Sequence, residues 1–166
     1  MHQAIEQPFF ETLFAAEYRG VLAVAQRMVG SAAAEDVAQE TFAALLRAGP
    51  SDPVHARNWL YRVVVHRALD LLKRDQERRR REARAPMGAS PPGPDELIEQ
   101  RETREAVHRV LLHLKSRDAG VLSLRYGGLS YKEISQVMNV PVQRVGVLLT
   151  RAEAAFKKEL NRVSSR

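Results

Sequence analysis

Two carboxylates four residues apart, Asp36 and Glu40, with Gln39 beside them, are the first side chains in the chain that could do chemistry. A carboxylate pair held about 5–10 Å apart in a pocket can divide acid and base roles in hydrolysis. Spacing of four puts both on one face of a helix, and Ala38, Phe42 and Leu45 form the inward face there. The pair therefore stands on a convex amphipathic surface with no cleft implied. That surface suits docking of a basic partner, or simply acid near a helix start, where the dipole favours it. The five histidines, His2, His55, His66, His108 and His113, show no metal-ligand spacing. No Gly-rich phosphate loop, nucleophile elbow or H-E-x-x-H motif occurs. Enzyme chemistry finds no foothold, so a small hydrolase built on Asp36 and Glu40 ranks last, and no cofactor or metal is expected.

A second constellation suits nucleic acid. Asn58, Arg62, His66, Asp70 and Lys73 recur every three or four residues and line one helix face, opposite a stripe of Leu60, Val64, Ala68 and Leu71. Trp59 and Tyr61 flank the start of the row. Cations track phosphates, rings stack on bases, and an amide or imidazole can read a base edge. The row runs on into "KRDQERRRREAR", residues 73–84, whose seven basic and three acidic residues add salt-sensitive phosphate attraction. The competing interpretation of each stretch is a solvated helix face.

The third constellation is the strongest. In "LSYKEISQVMNVPVQRVGVLLTRAEAAF", residues 129–156, Ser130 and Glu133 form a capping box, Asn139 ends one helix, and Pro141 starts the next. Ile134, Val137, Met138, Val142, Val145, Leu149 and Ala152 are spaced to pack the two helices at a steep angle. That is the plan of a helix-turn-helix, whose second helix enters the major groove. The alternative is an ordinary helical hairpin.

The elements that carry these residues read as helices throughout. Apolar residues make 45% of the chain but aromatics only 6%, which suits Ala-, Leu- and Val-based helix packing, and no hairpin turn or alternating strand run occurs. Helices are expected at about 8–28, with Phe10, Phe14, Val21 and Ala25 on one face, at 32–47 capped by Ser31, and at 54–82. Others are expected at 95–114, from Ser116 to a left-handed stop at Gly127-Gly128, and at 130–139 and 141–160. Residues 83–96 hold four of the chain's eight prolines and divide it into two small units. The fold class is thus all-α, with residues 1–84 and 96–166 as domains and 85–95 as a linker. The net charge of +6 favours a polyanion partner, though a basic solvated surface would also give it. The absence of cysteine fits a reducing compartment. No signal peptide and no apolar run of membrane-spanning length is visible, so a cytoplasmic location without membrane insertion is expected.

The order of the motifs is more specific than any one of them. "AEDVAQETFAALLR", "ARNWLYRVVVHRALDLLKR", a Pro-rich break and a helix-turn-helix opened by "RYGGLSYKEIS" together resemble a bacterial RNA polymerase sigma factor of the two-domain, extracytoplasmic-function type. The resemblance covers about residues 9–162. It implies that Asp36, Gln39, Glu40 and Phe42 dock on the β′ clamp helices of core RNA polymerase. It also implies that Asn58, Trp59, Arg62, His66, Arg67, Lys73 and Arg74 melt and bind the minus-ten promoter element. Ser130, Tyr131, Lys132, Gln143, Arg144, Val147 and Arg151 would bind the minus-thirty-five element, while the β flap docks on an apolar surface of the same domain. Many members of the family are held by an anti-sigma factor, which is a further partner to expect.

Two positions depart from the family pattern. His66 stands where most members carry Asn in W-L-x-x-x-x-x-N-x-x-x-D, and Gly146-Val147-Leu148 stands where many carry Lys-Ser-Arg. Minus-thirty-five binding should then rest on Gln143, Arg144 and Arg151, with Val147 placed to meet a thymine methyl. The alternative reading is a helix-turn-helix regulator that is not a polymerase subunit. Residues 35–42 and 57–74 argue against it, since such a regulator has no need of them in this order.

Overall fold

The computed structural model describes residues 5–84 and 98–165, and among these every regular element is an α-helix. They are α1 (Gln7–Val29), α2 (Ser31–Ala48), α3 (Pro53–Arg84), α4 (Ile98–His113), α5 (Ser116–Tyr126), α6 (Tyr131–Met138) and α7 (Val142–Ser164). The expected linker at 85–95 lies outside the described residues.

The helix ends show where local chemistry decided. Gly30, at φ 82°, both ends α1 and precedes α2. Ser31 is not the cap expected of it: the helix has already begun there, and no side-chain cap bond forms. Glu35 and Asp36 consequently fall beyond the first turn of α2. Ser116 likewise lies inside α5, after Lys115, without a side-chain cap. The left-handed stop belongs to Gly128 at φ 105°, while Gly127 stays right-handed at φ −76°. Around α6 the expected chemistry is present. Ser130 accepts from the Glu133 N–H at 3.2 Å, the Glu133 carboxylate accepts from the Ser130 N–H at 2.7 Å, and Asn139 is left-handed at φ 53°. Pro141 stands just before α7, as its N-cap.

Helices α1, α2 and α3 pack around Val21, Val24, Met28, Phe42, Leu45 and Leu60. The stripe predicted on α3 is largely the buried one: Leu60, Val64 and Ala68 are sealed, though Leu72 is buried deeper than Leu71. Helices α6 and α7 close over Ile134, Val137, Val145, Leu149 and Ala152, as the spacing predicts, while Val142 remains exposed.

The two halves are not apart. Their apolar residues form one continuous cluster, in which Val21 and Val24 of α1 and Val65 of α3 join Val121 and Leu124 of α5. A smaller cluster of Leu72, Leu111 and Ala119 ties the distal part of α3 to α4 and α5. Two glycines mark the seam. A Cβ on Gly127 would stand 2.5 Å from the Val24 Cγ2, and one on Gly120 would stand 3.8 Å from the Val65 Cγ1. Close approach at Gly127 therefore depends on its missing side chain.

Candidate nucleic-acid and partner interfaces

On α2, Asp36, Gln39 and Glu40 are exposed together on one face. Phe42 is not with them. It is 2% exposed, with its ring edge-on to Phe14 at 4.9 Å and to Phe10 at 6.2 Å, because a large ring at that register falls on the buried side of the helix. Its place is under the acidic face, where it fixes how α2 sits on α1. Glu40 carries an ion pair with Arg67 of α3 at 2.9 Å. The acidic face and the polar row of α3 thus meet at one bond.

Along α3, Arg62, His66, Asp70, Lys73 and Arg74 are exposed, and Trp59 is half-buried. Asn58 is only 9% exposed. Tyr61, which the sequence places beside the row as a stacking ring, is 3% exposed. Gly20 of α1 explains this, since a Cβ there would stand 2.1 Å from the tyrosine oxygen, so its absence lets the ring pass inward. The Tyr61 hydroxyl donates to Glu17 at 3.1 Å, and burial followed by that carboxylate pushes its pKa well above the usual phenol value. Tyr61 is therefore a buried strut with no face free for a base.

Arg57 is the residue that the sequence reading passed over. Its guanidinium bonds Glu17 at 2.9 Å and Glu133 of α6 at 2.8 Å, and lies 5.0 Å from the Tyr61 ring centre. Nothing local to "ARNWL" marks it out, because both of its partners are distant in sequence. Beside it Arg62 donates from Nε to the Val137 carbonyl oxygen at 2.5 Å. Glu133 uses one oxygen for Arg57 and the other for the Ser130 N–H, and the backbone bond, ahead of the cation, holds its pKa below the usual carboxylate value against some burial.

On α7, Gln143, Arg144, Val147 and Arg151 are exposed, and Ser130, Tyr131 and Lys132 are exposed at the start of α6. Gly146 lies near the edge of the Tyr131 ring: a Cβ there would meet the ring carbon Cε2 at 3.7 Å. Over the same ring stands the Arg125 guanidinium, 5.4 Å from its centre, also donating to the Leu129 carbonyl at 3.2 Å. Arg125 thus sets a positive charge beside the candidate reading face, near the positions 146–148 where α7 has none. No local pattern marks it, since Arg125 lies in the last turn of α5 and Tyr131 opens α6.

A separate apolar cleft of about 490 Å³ opens between α4, α5 and α7, lined by Val107, Leu111, Leu122, Tyr126 and Phe156, with Arg27 and Glu153 at its edge. Among the described residues no group of three His, Asp or Glu side chains could hold a metal ion, and no helix is long and apolar enough to cross a membrane.

Comparison with known proteins matches two stretches of the chain to two segments of one family. Residues 13–79 match sigma-70 region 2 and residues 104–156 match sigma-70 region 4. The RNA polymerase sigma factor YlaC of Bacillus subtilis (strain 168) is 29% identical over 135 residues, covering 78% of each chain. Among solved structures, the sigma factor RpoE, crystallised with the anti-sigma factor NepR from Bartonella quintana, shares the fold. Its TM-score is 0.51 at 14% identity, over 92% of this chain and 96% of that one. An all-helical chain carrying both regions in this order belongs to the sigma-70 family of non-catalytic transcription initiation factors. Within that family it is a sigma factor of the extracytoplasmic-function type, which binds core RNA polymerase and directs promoter recognition and transcription initiation.

Proposed function

We propose that the division of labour follows the two halves, residues 1–84 and 96–166, joined by 85–95. Asp36, Gln39 and Glu40 dock on the β′ clamp helices, with Phe42 supporting them from beneath. The observation that carries this is the coincidence of three exposed polar groups on one face of α2 over a sealed aromatic packing. The row Asn58, Trp59, Arg62, His66, Arg67, Lys73 and Arg74 takes the melted minus-ten strand, His66 offering one donor and one acceptor where an amide would offer both on one group. Gln143, Arg144, Val147 and Arg151, with Ser130, Tyr131 and Lys132, take the minus-thirty-five duplex, and Arg125 adds a phosphate contact that α7 lacks. The apolar cleft beside Phe156 receives the β flap. The chain acts in the cytoplasm, without catalysis of its own, and an anti-sigma factor is its natural inhibitor.

The test is run-off transcription by purified core polymerase from a promoter selected out of a random library by the reconstituted enzyme. Transcript above core alone is expected, and lost when Asp36→Lys and Glu40→Lys are combined. Both carboxylates are exposed, but Glu40→Lys sets a like charge beside the partly buried Arg67, so matching circular dichroism of the variant and parent is the control. Unaltered association of that variant with polymerase would refute the docking assignment. A chain that binds promoter duplex but never supports transcription would restore the regulator reading.

A further inference from the structure

A second cleft, of about 470 Å³, is walled by three helices: the distal part of α3, α4 and the last turn of α7. None of the residues assigned above to polymerase or promoter lines it. Its origin lies in helix phase. On α3, Leu72, Asp75, Gln76, Arg79, Arg80 and Ala83 recur at spacings of three and four, and on α4 Glu105, His108, Arg109 and Leu112 do the same, so each set lines one face. Two facing helices ordinarily close over apolar stripes. Here Leu72 is sealed at one end, but the facing positions beyond it are polar or charged, so an open cleft remains beside the Arg79–Glu105 ion pair at 2.9 Å.

Four arginines face this cleft against two carboxylates, Asp75 and Glu105. Arg79 takes both, at 3.4 and 2.9 Å, and Arg162 is held by Glu159 at 2.9 Å. Arg80 and Arg109 remain. Both are exposed, and among the described residues neither has a carboxylate partner. Arg109 donates only from Nε, to the Glu105 carbonyl oxygen at 3.4 Å, and Arg80 makes no side-chain bond there at all. One stands on the α3 wall and the other on the α4 wall. A single phosphate can satisfy one guanidinium by a bidentate contact, whereas a chain of phosphates can reach both.

Between the arginines stand groups suited to something other than phosphate. Gln76 and His108 are half-buried, and neither makes a side-chain hydrogen bond among the described residues. Burial, then the charges of Arg104 and Arg79, hold the His108 pKa below the usual 6.5, so at pH 7 its ring is neutral and offers one donor and one acceptor. The Gln76 amide offers both as well. Leu112 and Val163, each half-buried, add apolar surface on which a planar ring can rest. The volume lies within the range of small-molecule sites, and three walls suit one nucleotide better than a strand passing through.

We infer that this cleft binds a nucleoside triphosphate, its phosphates held between Arg80 and Arg109 and its base laid against Leu112 and Val163 within reach of Gln76 and His108. The walls come from both halves of the chain, so occupancy stabilises the folded molecule and nucleotide concentration is read out as stability.

The test uses the full-length chain in metal-free buffer at constant ionic strength. At about 1 mM ATP or GTP the thermal midpoint should rise by at least about 4 °C, and it should go on rising with the logarithm of nucleotide concentration. Arg80 holds nothing else among the described residues, so Arg80→Gln should keep the parent's circular dichroism and lose at least half of that rise. Combining it with Arg109→Gln should abolish the rise. Tripolyphosphate at the same concentration should give less than half of the ATP effect, because it brings no base. No response to either nucleotide, or an undiminished response in the paired variant, overturns the inference. An equal response to tripolyphosphate would reduce the site to a patch for any polyanion and overturns the nucleoside assignment. Binding of a twelve-residue oligo(dT) that depends on the same two arginines, with no response to ATP, would give the cleft to a nucleic-acid strand instead.

Discussion

At the scale of single residues, the unusual position is Gly146. Gly146, the fifth residue of α7, costs that helix about 1 kcal/mol against alanine, and the family resemblance implies a cation at its position. The Tyr131 ring edge comes near it and the Arg125 guanidinium lies 5.4 Å from the centre of that ring, so a positive charge stands in the neighbourhood. The space over Gly146 is ordinary contact distance, 3.7 Å, and its φ is not in the left-handed region. Gly146→Ala should therefore stabilise the protein by about 1 kcal/mol, raising its thermal midpoint by about 2–4 °C for a chain of this size. A fall in the midpoint would mean that the Tyr131 ring needs the bare backbone. Residue identity made this site only half legible. The glycine could be seen as costly from the sequence, but the ring and cation that occupy its neighbourhood come from α5 and α6.

Elements were legible where chemistry is local. Ser130 and Glu133 carry a complete capping box in four residues, and both bonds form. Helix α6 has only eight residues, too few to stand on propensity, so its cap and its packing carry it. Ser130→Ala should destabilise the protein by about 1 kcal/mol, read from denaturant unfolding at constant slope. An effect within about 0.2 kcal/mol would show that Arg57 and Arg62 alone hold the helix. Ser31 and Ser116 look equally suitable as caps in the sequence, yet both lie inside their helices. Gly30 turns the chain tightly enough at φ 82° to start α2 a residue early. Tyr61 shows the other limit. Its position beside the polar row is a matter of helix phase, but whether its ring faces out or in was decided by Gly20, forty-one positions earlier and on another helix.

The whole molecule was the least legible scale. Two domains and a break between them follow from proline content and hydrophobic spacing, and both family regions are present. That the halves share one core does not follow, because the seam is assembled from α1, α3, α5 and α6 with two glycines and no periodic pattern of its own. At this scale the Arg79–Glu105 ion pair, at 2.9 Å, ties α4 to the distal part of α3, with His108 half-buried on α4. Burial, then the positive charges of Arg104 and Arg79, hold its pKa below the usual 6.5, with Asp75 and Glu105 opposing. A lowered histidine pKa means that the unfolded chain takes up the proton first. Stability is then complete above about pH 6.5 and declines as pH falls from there towards the folded value. The carboxylates with lowered pKa, Glu105 and Glu133, hold their contribution until pH is below their ordinary 4.5. Thermal midpoints should thus fall between pH 7 and 5.5, and the fall should be shallower in His108→Gln. Identical pH profiles for the two proteins would remove His108 from the account.

The proline that separates α6 from α7 has a reach beyond the turn it makes. Helix α6 ends at Met138 with Asn139 left-handed, so the Val137 carbonyl is one of its orphan acceptors, and Pro141, which has no N–H, cannot serve it either. Such an atom is in permanent demand, and whatever draws Arg62 away must surrender it to solvent. The end of α6 thereby sets a standing preference for a nearby cation, which Arg62 meets from the other half of the chain.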